Sequence, residues 1–259
     1  MMKKINISFL WIQSLFFLPV FLFLFAQVGW AISAEEIRGK QDELQGKRIG
    51  ERIAFWAERF IGTPYDEDPQ GAYVSKAAIV ADEKVDCMYL TFRAVELALS
   101  QTPEEALQIA MEKRFHSRGI LQDGKVTNYN DRFEYGEDMI ESGKWGREIT
   151  CEIGRSVRIK GSRGKDSWTI LPSAELFRNL GRIKSGDIIF FATRPEKRKA
   201  GECVGHIGIA KIERQAKIRK VYLIHASGLK NKGGAVKKVL LIDYVDRMPF
   251  AGVRITRFD

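Results

Sequence analysis

The sequence predicts an α+β domain, and three observations carry that expectation. Apolar residues recur at helical spacing through the first half of the chain. Short β-branched and aromatic runs fill the second half. No internal repeat or low-complexity segment interrupts either. A chain of 259 residues is long enough to bury one substantial core.

The chain opens with Met1-Met2-Lys3-Lys4 and an apolar run from Phe9 to Trp30, followed by Ala31, Ser33 and Ala34. A positive end, a greasy middle and small residues make a secretory signal over residues 1–33, cut after Ser33 or Ala34. Residues 9–30 are also long enough to remain as a membrane tether, since about 20 apolar residues span a bilayer. Either reading exports the remainder to the periplasm or cell envelope and removes it from nucleic acid. Net charge is +9, of which Lys3 and Lys4 supply two. A basic exported domain suits anionic polymers or membrane surfaces.

Residues 34–48 read as a helical lead-in, and 49–259 as a single domain. A helix is expected over 35–61, where Ile49, Ile53, Trp56, Ala57 and Phe60 recur at helical spacing. Gly62-Thr63-Pro64 ends it. Asp86–Ser100 is a second helix, apolar on most sides, with Arg93, Glu96 and Ser100 as one narrow polar stripe. Pro103–Arg114 is a third, with Thr102 as N-cap and Glu105 at capping-box spacing. Strands are expected at Ser167–Leu171, Asp187–Thr193, His206–Glu213, Lys220–Ala226 and Gly252–Phe258, and a short helix at Ser173–Leu180. The basic stretches Arg194–Lys199 and Lys230–Lys238 read as solvated turns.

Cys87 follows Asp86 and opens the second helix. A helix N-terminus offers free N–H groups and partial positive charge, which lowers a thiol's pKa and can hold a developing oxyanion. An ordinary buried cysteine is the competing reading. There are three histidines: His116, His206 and His225. If the last two strands form a hairpin around a four-residue loop Arg214–Lys217, then Ile207 faces Ile224, Ile209 faces Tyr222, and His206 faces His225 directly. Two imidazoles side by side fit a base and its orienting partner. A zinc site of Cys87, Cys203, His206 and His225 is the rival; only Cys203 and His206 are close in sequence. The odd cysteine count leaves at least one thiol free, and a Cys151–Cys203 disulfide would leave Cys87 in that role.

Gly62-Thr63-Pro64-Tyr65, Asp86-Cys87, Gly186-Asp187-Ile188-Ile189, Gly205-His206-Ile207-Gly208 and Ile224-His225-Ala226-Ser227 occur in the order found in the NlpC-type, papain-like peptidoglycan cysteine hydrolases. Within them, the chain resembles the N-acetylmuramoyl-L-alanine amidase-like family over roughly Ile49 to Phe258. The resemblance implies a papain-like core, with the cysteine helix packed on an antiparallel sheet. It implies Cys87 as nucleophile, His206 as base, His225 as the polar third member, and Tyr65 and Asp86 lining the cleft. Neither metal nor cofactor is needed. The chain departs from the pattern at Asp86-Cys87-Met88-Tyr89, where the wider superfamily has Asp-Cys-Ser-Gly. It departs again at Arg132-Phe133-Glu134-Tyr135, where the closer family has Arg-Leu-His-Tyr.

Residues 117–147 read as a long irregular insertion at the substrate cleft, with Arg132 to hold a carboxylate and Tyr135 among aromatics that stack on sugars. A small core formed by Tyr129, Phe133 and Trp145 is the alternative. The function expected is hydrolysis of a peptidoglycan amide bond. A stem-peptide endopeptidase or an acyltransferase would use the same machinery.

Overall fold

The computed structural model describes residues 32–198, 201–216, 218–229 and 233–259. The apolar run 9–30, and with it the signal or tether, lies outside them. Nine helices and ten strands follow in the described residues: α1 (Ala34–Glu43), α2 (Ile49–Arg59), α3 (Ala72–Ser75), α4 (Cys87–Leu99) and α5 (Pro103–Lys113) come first. Then come β1 (Leu121–Gln122), β2 (Lys125–Val126), α6 (Gly136–Ser142), β3 (Arg147–Glu148), α7 (Thr150–Ile153), β4 (Val157–Lys160), β5 (Ser167–Pro172) and α8 (Ser173–Arg178). The chain closes with β6 (Ile188–Thr193), β7 (Val204–Gln215), β8 (Ile218–Leu229), β9 (Gly233–Leu240), α9 (Leu241–Arg247) and β10 (Phe250–Arg257).

The main sheet runs β4-β5-β10-β6-β7-β8-β9, antiparallel throughout, with β3 added to β10. The fold is thus mixed α+β on an antiparallel sheet. Strand β6 shows why the sheet is covered on both faces. Ile188, Phe190 and Ala192 join the core shared with α2, α4 and α5, while Ile189 and Phe191 join a second core with α7, α8 and α9. A strand buried on both sides reads as a continuous apolar run.

Two expectations change. The single helix over 35–61 is two helices, because Gly46 takes a φ of 78° between them. The apolar period belongs to α2 alone; α1 is capped separately, the Ser33 hydroxyl accepting from the Glu36 amide at 3.1 Å. The basic stretch Lys230–Lys238 is not a turn along its length, since from Gly233 onward it is the edge strand β9. Lysine is a common device on an edge strand, where it discourages pairing with another chain. Five strands (β1, β2, β3, β4 and β9) and four helices (α3, α6, α7 and α9) went unread; β1, β2 and α6 lie within 117–147, which is therefore not irregular throughout.

The polar stripe of α4 is buried. Arg93 donates bidentately to Asp82 (2.8 and 3.0 Å) and Arg114 bidentately to Glu96 (2.6 and 2.7 Å), while Arg93 also reaches Glu96 at 3.3 Å. The Tyr89 hydroxyl donates to Asp82 at 2.8 Å, and the third Arg114 donor meets the Ile79 carbonyl at 2.8 Å. Ser100 accepts from Gln41 at 2.6 Å, which ties α1 to the end of α4. These bonds satisfy charges that would otherwise be prohibitive inside a core. They lock α4, and so Cys87, against α5 and the 76–82 loop.

Candidate active site

Asp86 N-caps α4: its carboxylate accepts from the Tyr89 amide at 2.6 Å. The preceding residue is clamped by the 64–66 segment, with Val85 donating to Pro64 O (3.0 Å) and Asp66 to Val85 O (3.1 Å). Tyr65 in turn donates its amide to Gly234 O of β9 at 2.9 Å. Its ring lies on the backbone of Gly228 in β8, and any side chain at 228 would collide with it. The clamp therefore fixes the mouth of α4 against β8 and β9. A shallow hollow of about 390 Å³ opens beside Tyr65, with Glu67 and Lys84 in its wall.

His206 and His225 come from β7 and β8, and their register differs from the expected one. The turn is tight: Gln215 pairs with Ile218 and Ile209 with Ile224. The expected direct opposition of His206 and His225 is thereby displaced by two residues. A two-residue shift keeps every side chain on its face, because the strand period is two. The histidines are therefore diagonal neighbours on one face, and His206 Nε2 lies 2.9 Å from His225 Nδ1. The β7–β8 ladder ends at Ile209 and Ile224. Beyond it His206 stays paired with Phe191 of β6, and His225 with Lys237 of β9. The N-terminus of α4 approaches this notch: amides of Ile207, Cys87 and Met88 are directed at the Cys87 sulfur.

Tyr244 of α9 completes the site, its ring centroid 4.5 Å from that of His225 and 5.8 Å from that of His206. The Cys87 sulfur acts electrostatically on the hydroxyls of both Tyr65 and Tyr244, so both lie in its neighbourhood. Sequence reading missed Tyr244. The signal was Leu241, Tyr244 and Val245 at helical spacing in a helix of only seven residues.

Burial sets the electrostatics. It pushes the Cys87 thiol up to about 12, and the negative charge of Asp86 adds to the effect. The expectation of a thiol acidified by its helix N-terminus is thus reversed, because burial outweighs the amides that favour the thiolate. Burial pushes His206 down to about 3, helped by His225, and His225 down to about 4, helped by Lys237. Asp86 rises to about 6, chiefly through burial. These shifts all favour the neutral forms, thiol at Cys87 and imidazole at His206 and His225. With Nε2 of His206 engaged by His225, its Nδ1 is the nitrogen left to face a proton donor.

Of the other candidates, Arg132 donates to Tyr129 O at 2.9 Å and pairs with Glu134 at 2.9 Å. Tyr135 lies beneath the guanidinium of Arg163, 3.7 Å from its ring centre. Neither bonds to Cys87, His206 or His225 among the described residues. Tyr129, Phe133 and Trp145 are buried, so these three aromatics pack the 117–147 segment down. Cys151 is exposed, Cys203 is buried beside the Ser162 hydroxyl (3.3 Å), and both are free, so the expected disulfide does not form. Among the described residues no group of three or more His, Cys, Asp or Glu side chains is placed to hold a metal ion.

No protein-family model and no curated protein matches this chain. Solved structures do. An N-acetylmuramoyl-L-alanine amidase from Bacteroides uniformis superposes with a TM-score of 0.62 at 23% identity, over 81% of this chain and 98% of its own. A Legionella pneumophila protein of family DUF1460 gives 0.64 at 16%, over 86% and 93%. A putative xylanase from Bacteroides fragilis gives 0.58 at 22%, over 79% and 100%. The chain shares their fold along nearly its whole described length.

Proposed function

We propose that the protein is an exported cysteine hydrolase with a papain-like, NlpC-type core that cleaves an amide bond of peptidoglycan, the bond between the lactyl group of muramic acid and L-alanine. The observation that carries this reading is the His206–His225 hydrogen bond on the strand whose Ile207 amide is directed at the Cys87 sulfur. Thiol and imidazole together suit acyl transfer. Glycosidic cleavage, which the xylanase name suggests for that neighbour, ordinarily uses a pair of carboxylates at the scissile bond. The names of the fold neighbours therefore divide, and the chemistry of the converging side chains favours the amidase.

In this mechanism His206 Nδ1 takes the Cys87 proton as the sulfur attacks the amide carbonyl. A neutral resting pair makes that transfer concerted with attack, because neither ion forms readily in the buried site. The carbon–sulfur bond forms, and the first-turn amides of α4 hold the oxyanion. The carbon–nitrogen bond then breaks, and His206 returns the proton to the leaving amine. Water, deprotonated by the same nitrogen, hydrolyses the thioester. His225 and Tyr244 hold the imidazole in place. Asp86 and Tyr65 line the cleft, with Arg132 and Tyr135 further out on the 117–147 insertion. Residues 1–33 act as the export signal.

Mass spectrometry of muropeptides digested with the protein tests the reading. Free L-alanine-terminated peptide and a muramic acid lactyl carboxylate are expected. Cleavage within the stem peptide would reassign the bond, and intact muropeptides would reject the hydrolase.

A further inference from the structure

The far end of the β7–β8 hairpin carries a second concavity that this chemistry does not use. It is a cleft of about 870 Å³ between the start of α2, the loop before β6, the hairpin tip and the end of β10. Ile212 in its wall lies six residues along β7 from His206, roughly 20 Å away at strand rise. Volumes of this order are typical of ligand sites.

The walls are cationic. Lys47, Lys184, Arg214 and Arg219 line the cleft, and among the described residues none has a carboxylate within ion-pair distance. The two acidic residues present are already engaged, Glu51 by Arg48 and Asp259 by Arg147. Arg219 is held in place through its donors, which meet the carbonyls of Leu180 (2.8 Å) and Ile183. Burial, and then the neighbouring Arg214, push its pKa down, with Asp187 only partly offsetting them. The start of α2 faces the same space. Its N-cap is Arg48, which gives no side-chain cap; the Glu51 amide turns back to the Arg48 carbonyl at 2.9 Å, and no side chain caps the first turn. Behind the wall, Gly186, at φ 84°, and Gly50 pack backbone to backbone with no room for a side chain on either, which joins the start of α2 to the loop before β6.

We propose that this cleft is a binding site for a phosphate-bearing anion, of the size of a phosphodiester-linked unit or a short polyphosphate. Guanidinium and ammonium groups outside any ion pair, gathered at a helix start with no side-chain cap, are the donors such a group takes. The phosphate can belong to a soluble polyanion or to a lipid headgroup. The site does not depend on the hydrolase reading, and each can fail without the other.

The test uses the full chain and tripolyphosphate as probe, with binding followed by calorimetry at low salt. Lys184 and Arg214 are exposed, so Lys184→Glu/Arg214→Glu leaves the core intact. A control pair of exposed residues remote from the cleft, Lys125→Glu/Arg155→Glu, changes net charge equally. The expected result is a loss of affinity of about tenfold or more in the first variant, roughly 1.4 kcal/mol, and little change in the control. Equal loss in both variants, or no binding by the parent, overturns the site. Flotation with vesicles of phosphatidylglycerol and phosphatidylcholine separates the sources. Lys184- and Arg214-dependent flotation assigns a headgroup, whereas tripolyphosphate binding without flotation assigns a soluble polyanion.

Discussion

Nε2 of His206 and Nδ1 of His225 lie 2.9 Å apart although the two residues are not cross-strand partners. The bond exists because the β7–β8 ladder stops at Ile209 and Ile224, and the imidazoles lean across the open notch. Tyr244 covers them from α9, and both rings are held neutral.

This neutrality predicts acid sensitivity. Each histidine falls from the ordinary 6.5, to about 3 for His206 and about 4 for His225. The unfolded chain therefore binds protons that the folded site refuses, and stability is lost as pH drops from about 6.5 toward 3. Asp86 acts in the opposite sense, since its pKa rises from 3.8 to about 6 and its contribution is lost as pH rises through that range. Melting temperature measured from pH 7 to pH 4 should fall, and fall less steeply in a His206→Gln/His225→Asn double variant. Parallel curves would show that the pair is not the source.

The raised thiol predicts slow alkylation. Iodoacetamide should modify Cys87 sluggishly at neutral pH and faster in alkali. Asp86→Asn keeps the cap to the Tyr89 amide and removes a negative charge that raises the thiol. Its alkylation profile should move to lower pH. A profile unmoved by that substitution would remove Asp86 from the electrostatics of the site.

The buried network on α4 predicts a large loss on truncation. Glu96 pairs with both Arg93 and Arg114, all three essentially inaccessible. Glu96→Ala leaves the Arg114 guanidinium without its carboxylate, Arg93 keeping Asp82, and should cost about 3–5 kcal/mol in urea unfolding. A loss below about 1 kcal/mol, the scale of an exposed pair, would mean that water reaches the arginines.

Much of this site was legible in the sequence. Asp86 and Thr102 sit where capping chemistry puts them, because an N-cap is a local pattern. The shared face of His206 and His225 survived a wrong register, because an even slip preserves facing. What escaped depended on partners distant in sequence. The stripe Arg93, Glu96 and Ser100 looks like a solvated edge until Asp82, Arg114 and Gln41 close over it. β9 looks like a basic loop until β8 pairs with it. Cys87 looks acidified until burial and the charge of Asp86 are counted against its helix amides.

Tyr244 should behave as a positioning residue. Tyr244→Phe keeps the ring against both imidazoles and should keep most activity. Tyr244→Ala lets them move, and misplacement of order 1 Å costs on the order of 10²-fold in kcat. Histidine ring NMR shifts should change in the alanine variant and stay close to the parent's in the phenylalanine one. Full activity with the alanine would leave the contact purely structural.

The roles proposed for Cys87 and the three histidines give the sharpest ranking. Cys87→Ala removes the nucleophile and should abolish muropeptide hydrolysis. His206 moves a proton in both half-reactions, and loss of such a group costs about 10²–10⁴-fold, so His206→Ala should be nearly as inactive. His225 accepts or donates one bond at Nδ1 and otherwise orients its neighbour, so His225→Asn, whose amide offers the same bond, should keep measurable turnover. His116 is exposed, with its ring 4.4 Å from that of Phe133 and no contact to the site. His116→Ala should be near neutral. Turnover on muropeptides, with melting temperature as a check on folding, decides the order. An inactive His225→Asn beside an active His206→Ala would exchange the two assignments. Activity in Cys87→Ala would end the cysteine mechanism.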